Sequence, residues 1–135
     1  MGFFTAIATV FRKYVDFKGR ACRSEYWYFT LFNFIVVFAL EIAGGMFRAS
    51  ASAPAPNPLI VMILGLYVLA TILPGIAVVV RRLHDTDHSG WWYFIVLVPL
   101  VGAILLLVWF CTRGTNGPNR YGADPLGGGV AAVFS

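Results

Sequence analysis

The chain has 135 residues, 59% of them hydrophobic and only 12% charged, with a net charge of +4. An ordinary soluble domain is about 25% charged, so this composition excludes a globule with a densely ionised surface and points to lipid as the solvent. The positive charge comes with no groove-reading motif, which argues against nucleic acid as a partner.

The chain opens MGFFTAIATVFRKYVDFKGRACRSE. Phe3, Phe4, Ile7, Val10, Phe11, Tyr14 and Val15 recur near one helical face, and basic residues gather after Val10. That pattern predicts an amphipathic helix lying in the membrane interface. A secretory signal carries its charge before the apolar stretch, whereas here it follows, so no cleavage is expected. Ala6 stands where a myristoylation motif requires Ser or Thr.

Three apolar runs follow, at 27–47, 58–80 and 91–111, and Glu41 is their one Asp, Glu, Lys or Arg. As helices each extends about 30 Å, the thickness of the bilayer hydrocarbon, and a helix satisfies its own backbone there. Tyr26, Trp27 and Tyr28 stand at the start of the first run, Trp91, Trp92 and Tyr93 at the start of the third, and Trp109 and Phe110 at its end. Amphipathic rings favour the headgroup level, so these read as anchoring belts. Pro74-Gly75, and Pro99 with Gly102, should bend the second and third runs, and Gly44-Gly45 permits close helix contact.

Between the runs, 51–58 is a Pro/Ala/Ser-rich connector, and RGTNGPNRYGADP at 113–125 should form a compact surface turn that ends a helix. Residues 126–135 read as a disordered tail. Cys22 and Cys111 fall at opposite ends of a three-crossing arrangement and are expected as free thiols.

Arg12, Lys13, Lys18, Arg20, Arg23, Arg81 and Arg82 outnumber Arg48, Arg113 and Arg120 on the other face. The positive-inside rule then puts the N-terminus and the 81–90 loop in the cytoplasm, and the C-terminus outside if the third run crosses fully. A fold-back at Pro99 to Gly102 would return the tail to the cytoplasmic side.

YVDFKGRACRSEYW at 14–27, RRLHDTDHSGWW at 81–92 and GTNGPNRYGADP at 114–125 together resemble domain-of-unknown-function family 805 (DUF805), the YhaH-like small bacterial inner-membrane proteins. The resemblance runs from about Tyr14 to Pro125. It implies a three- to four-span integral protein of the bacterial inner membrane and carries over no catalytic residues.

The expectation is an all-α integral membrane protein, one membrane domain over 1–125, with an N-terminal amphipathic interfacial helix plus three transmembrane helices. Candidate binding residues on its cytoplasmic face are Arg20, Arg23, Glu25, Arg81, Arg82, His84, Asp85, Asp87 and His88. The arginines suit anionic lipid headgroups, Asp85 or Asp87 suits an ion pair with an arginine, and Asp87 or Ser89 suits the N-cap of the third run. His84 and His88, four apart, titrate near pH ~6.5 if unperturbed. They match a metal spacing only if the segment is helical; DTDHSG favours a turn and no cysteine or third histidine assists, so neither metal nor cofactor is expected.

The best reading is a non-enzymatic protein binding anionic lipid or a protein partner, with a homo-oligomer reasonable for so small a membrane domain. One alternative is a small transporter using the intramembrane groups Asn33 and Glu41. The other is an interfacial enzyme on phosphate-bearing lipid, with His84 and Asp85 as an acid/base pair.

Overall fold

In a computed structural model, which describes residues 2–47, 50 and 52–126, the helices come in the order α1 (Phe3–Arg12), α2 (Arg23–Ala43), α3 (Pro58–Asp85), a 3-10 helix (Gly90–Leu97) and α4 (Val101–Cys111). Arg48 and the tail from 127 onwards, most of the segment expected to be disordered, lie outside the described residues.

Helix α1 packs on α2 through its small side. Ala6, Thr9 and Val10 are buried, and Phe11 meets Phe29 edge-on at 5.7 Å. Phe4, assigned by periodicity to the apolar face, is 82% exposed. Ala and Thr let the two backbones approach, and a phenylalanine there would hold them apart.

Helix α2 ends at Gly44, whose amide donates to the Leu40 carbonyl at 2.8 Å. A Cβ on Gly44 would lie 3.2 Å from Ile60 Cγ2, so glycine gives α3 its close approach at this end. Helix α3 starts cleanly: Pro58 occupies the first turn, where its missing N–H costs nothing, and the Asn57 side chain accepts from the Leu59 amide at 3.0 Å. Further on, Pro74 cannot donate to the Ala70 carbonyl four residues back. The Tyr14 hydroxyl donates to that carbonyl instead, tying the segment after α1 to the middle of α3.

Both α2 and α3 are long and apolar enough to cross a membrane. The buried clusters, Val10 with Ala21, Phe29 and Val78, and Leu83 with Leu106 and Phe110, gather toward one end of the molecule. Away from that end the long helices stay bare: Phe34 is 65% and Leu69 is 66% exposed. In water that surface would be very costly; against acyl chains it needs no cover.

The third run departs from its expected form. It is not one 21-residue helix but a hairpin, with the 3-10 helix as one arm and α4 as the other. At the tip the Val101 amide donates to the Pro99 carbonyl at 2.7 Å, a γ-turn centred on Leu100 at φ 64° and ψ −58°. A non-glycine residue pays strain there, and Pro99, which cannot donate within a helix, sets the break. The arms touch so closely that a Cβ on Gly102 would lie 1.7 Å from the Ile95 carbonyl oxygen. Because the run doubles back, Cys111 comes to the same end as Cys22: the Arg23 guanidinium donates to the Cys111 carbonyl at 3.3 Å. The sequence had put these cysteines at opposite ends; both are nevertheless free.

Candidate functional site

The last turn of α3 carries RRLHD beyond the apolar stretch, and all five residues from Arg81 to Asp85 are buried. Their burial depends on three segments converging on this turn: 16–25 before and into α2, 109–112 at the end of α4, and 114–122 beyond it.

Asp85 is the hub. Its Oδ2 accepts from Arg82 at 2.6 Å and its Oδ1 from the Arg20 Nε at 3.1 Å, so one carboxylate lies between two guanidiniums. Buried charge is tolerated only when paired and hydrogen-bonded, and each guanidinium spends its remaining donors on backbone oxygens. Arg82 donates to the carbonyls of Trp109, Phe110 and Thr112. Helix α4 ends there, where carbonyls run short of intrahelical donors; the Thr112 amide reaches Trp109 at 3.3 Å and the Trp27 indole reaches Phe110 at 3.1 Å, and Arg82 supplies the rest. A cation suits that end of a helix dipole, so Arg82 is the cap that brings the hairpin home. Arg20 donates to the carbonyls of Thr115 at 2.7 Å and Gly117 at 2.8 Å, clasping the following turn. The Thr115 amide completes the clasp by donating to the Asp85 carbonyl at 2.7 Å. Gly114 must be glycine for this contact, since a Cβ would fall 2.1 Å from Asp85 Oδ2.

Arg81 faces the other way. It pairs with Glu25 in the first turn of α2, and its Nε donates to the Asp16 carbonyl at 3.1 Å, while the Ala21 amide donates to the Arg81 carbonyl at 3.0 Å. Its Nη2 is buried with no hydrogen-bond partner among the described residues.

The two histidines part company. His84 stacks on Tyr121 at 3.9 Å and its Nδ1 meets the Gly19 carbonyl at 3.0 Å. His88 stacks on Trp109, also at 3.9 Å, and bonds the Thr86 hydroxyl at 2.9 Å. Among the described residues no group of three or more His, Cys, Asp and Glu converges as a metal site. Burial lowers the His88 pKa below 6.5, with Asp87 opposing and Arg120 assisting. At the surface Asp87, at φ 61°, pairs with Arg120 at 3.2 Å, and Ser89 caps the 3-10 helix by accepting from the Trp91 amide at 3.4 Å. Of the two N-cap candidates, the cap is therefore Ser89.

Two aspartates on the adjoining loops have lowered pKa values. At Asp16 the Lys18 amide is the main cause. At Asp124 burial pulls upward, but the amides of Gly117 and Leu126 and the charges of Arg20 and Arg113 outweigh it.

Asn33 and Glu41 lie outside this cluster. Tyr67 of α3 donates to Asn33 Oδ1 at 2.7 Å and Asn33 donates to the Phe29 carbonyl at 3.1 Å, an interhelical polar link. The groove above it, about 460 Å³ between α2, α3 and Tyr93, has Thr30 and Thr71 on its walls, each donating to its own helix.

The similarity to known proteins takes in the three polar segments that meet at Asp85 together with the apolar helices between them. A family model described as protein of unknown function (DUF805) matches residues 14–123. The chain belongs to the DUF805 family. It is 46% identical over 125 residues to the inner membrane protein YhaI of Escherichia coli (strain K12), covering 87% of this chain and 92% of that protein. Over 119 residues it is 40% identical to the inner membrane protein YhaH of the same strain, covering 86% and 92%. No solved structure matches. The DUF805 match stops just after Gly122, whose carbonyl accepts from Arg20 at 3.3 Å, and begins at Tyr14, which closes the gap left by Pro74.

Sequence reasoning singled out Arg20, Glu25, Arg81, Arg82 and Asp85, and an ion pair of Asp85 or Asp87 with an arginine, but not the backbone carbonyls that the guanidiniums reach. Asn119, which donates to the His84 carbonyl at 2.9 Å, and Tyr121 read only as parts of the 113–125 turn and not as site residues. The available signal was the density of turn dipeptides around Asn116-Gly117, which marked the segment as ordered without saying against what it rests.

Proposed function

We propose that this DUF805 protein is a non-enzymatic protein of the bacterial inner membrane. It crosses the membrane with α2 and α3, its third apolar run is a re-entrant hairpin, and its cytoplasmic face holds anionic lipid. Helix α1 lies along the interface beside that face. The observation that carries the reading is the Arg20–Asp85–Arg82 clasp, in which the polar motif's charges are spent on joining chain segments. Arg81 and Arg82 are both 0% exposed, so headgroup contact falls to more open cations of that face, chiefly the N-terminal Arg12 and Lys18, both exposed, and Lys13, half-buried.

A re-entrant hairpin also sharpens the charge asymmetry. Arg113 and Arg120 then join the N-terminal and 81–90 cations, and of the ten Lys and Arg residues only Arg48 is left for the opposite side. Each basic residue near an anionic leaflet adds about 1 kcal/mol of attraction, and such an imbalance sets orientation. The relatives' description as inner membrane proteins supports the same location.

Native mass spectrometry of the full chain, released from detergent with phosphatidylglycerol or phosphatidylcholine added, tests this. Wild type should retain phosphatidylglycerol in preference, and Arg12→Gln, Lys13→Gln and Lys18→Gln together should abolish the preference. Retention unchanged by the triple variant would refute the lipid reading. The same spectra register a second copy of the chain.

A further inference from the structure

We propose that a cleft beside the clasp, floored by His84, is a headgroup site for a single anionic glycerophospholipid bearing a hydroxyl. This rests on the lipid reading above and narrows it to one place and one chemistry. The cleft is about 280 Å³, with Phe17, Val80, His84, Ser89, Trp91 and Phe94 among its walls. That is just under the roughly 300–1,000 Å³ of sites for drug-sized ligands, which suits a headgroup with its acyl chains left outside.

Three features define the occupant. First, the rim is aromatic and bare: Trp91 is 78% and Phe94 is 56% exposed. Such rings favour the headgroup level of a bilayer, where a lipid enters from the side. Second, Lys18 is exposed and directly follows Phe17, which forms one wall, so an exposed cation stands one residue along the chain from the cleft for a phosphodiester. Third, His84 is 93% buried, being 7% exposed, and its ring is half used. A carbonyl only accepts, so contact with Gly19 makes Nδ1 the donor. In the neutral ring that tautomer leaves Nε2 with a lone pair, and Nε2 has no partner among the described residues. His84 lines the cleft, and its unpartnered lone pair selects a headgroup that donates a hydrogen bond. The hydroxyls of phosphatidylglycerol do so; the trimethylammonium of phosphatidylcholine does not.

The test follows the ring nitrogen. In full-length protein labelled with ¹⁵N-histidine in detergent, dihexanoyl-phosphatidylglycerol should shift the His84 Nε2 resonance saturably, and dihexanoyl-phosphatidylcholine should not. His84→Phe keeps a ring for Tyr121 to stack on and removes the acceptor; native mass spectrometry should then show about tenfold weaker retention of one phosphatidylglycerol, the worth of one lost hydrogen bond. An unmoved Nε2, or equal shifts with both lipids, would overturn the site. If phosphatidylglycerol is still retained through Arg12, Lys13 and Lys18 in that case, the broader lipid reading survives; if none is retained, both fail.

Discussion

The Tyr14 hydroxyl donates to the Ala70 carbonyl, the acceptor that Pro74 leaves empty four residues later. A proline in a membrane helix is tolerated when a neighbour fills the freed backbone group, and here the neighbour comes from the segment after α1. Tyr14→Phe keeps the ring and removes the donor. It should lower stability by about 1 kcal/mol, read as an earlier thermal midpoint in detergent, whereas Pro74→Ala, which restores the helix's own donor, should make the Tyr14→Phe change nearly silent.

Asp85 holds two guanidiniums, and that predicts a sharp contrast with its neighbour. Asp85→Asn leaves Arg20 and Arg82 buried without their counter-charge and should cost about 3–5 kcal/mol. Asp87→Asn breaks a pair whose side chains are 63% and 48% exposed and should cost under about 1 kcal/mol. Denaturation of the two variants side by side checks this, and equal losses would contradict the hub role of Asp85.

The hairpin predicts a labelling pattern. With Cys22 and Cys111 replaced and single cysteines placed at Asn57, Thr86 and Thr115, an impermeant maleimide on intact cells should label only Asn57. Labelling at Thr115 would mean that the third run crosses the membrane. Gly102→Val, which drives a side chain into the Ile95 carbonyl, should open the arms and destabilise the fold.

His88 gives stability a pH dependence of known sign. Its folded pKa lies below 6.5 because the stacked ring is partly desolvated, so the unfolded chain takes up the proton first. Its contribution is therefore present above about pH 6.5 and is lost as pH falls through the lower folded value. The thermal midpoint of wild type should drop over that window, and His88→Gln should flatten the drop. Asp16 and Asp124, whose folded pKa values are also depressed, add stability present above about pH 4 and lost below it, in a separate acid window.

The sequence by itself determined the solvent and the punctuation of this protein. Uninterrupted apolar runs fix where helices must satisfy their own backbones, Asn57-Pro58 fixes where α3 starts, and the crowding of Arg81, Arg82 and Asp85 at a run's end marks the polar face. Those signals are local, carried by neighbours along the chain. Whether 91–111 is one helix or a hairpin is not local, because its length suits a single helix and a proline alone permits either outcome. What holds it folded back is Arg82, a turn from the end of α3, reaching the Trp109 and Phe110 carbonyls at the end of α4. The same holds for RGTNGPNRYGADP: its dipeptides predict a turn, but only the donors of Arg20 and the face of His84 give that turn a place to lie. A buried guanidinium has five donors to satisfy, and which distant carbonyls satisfy them exists only once the chain has folded.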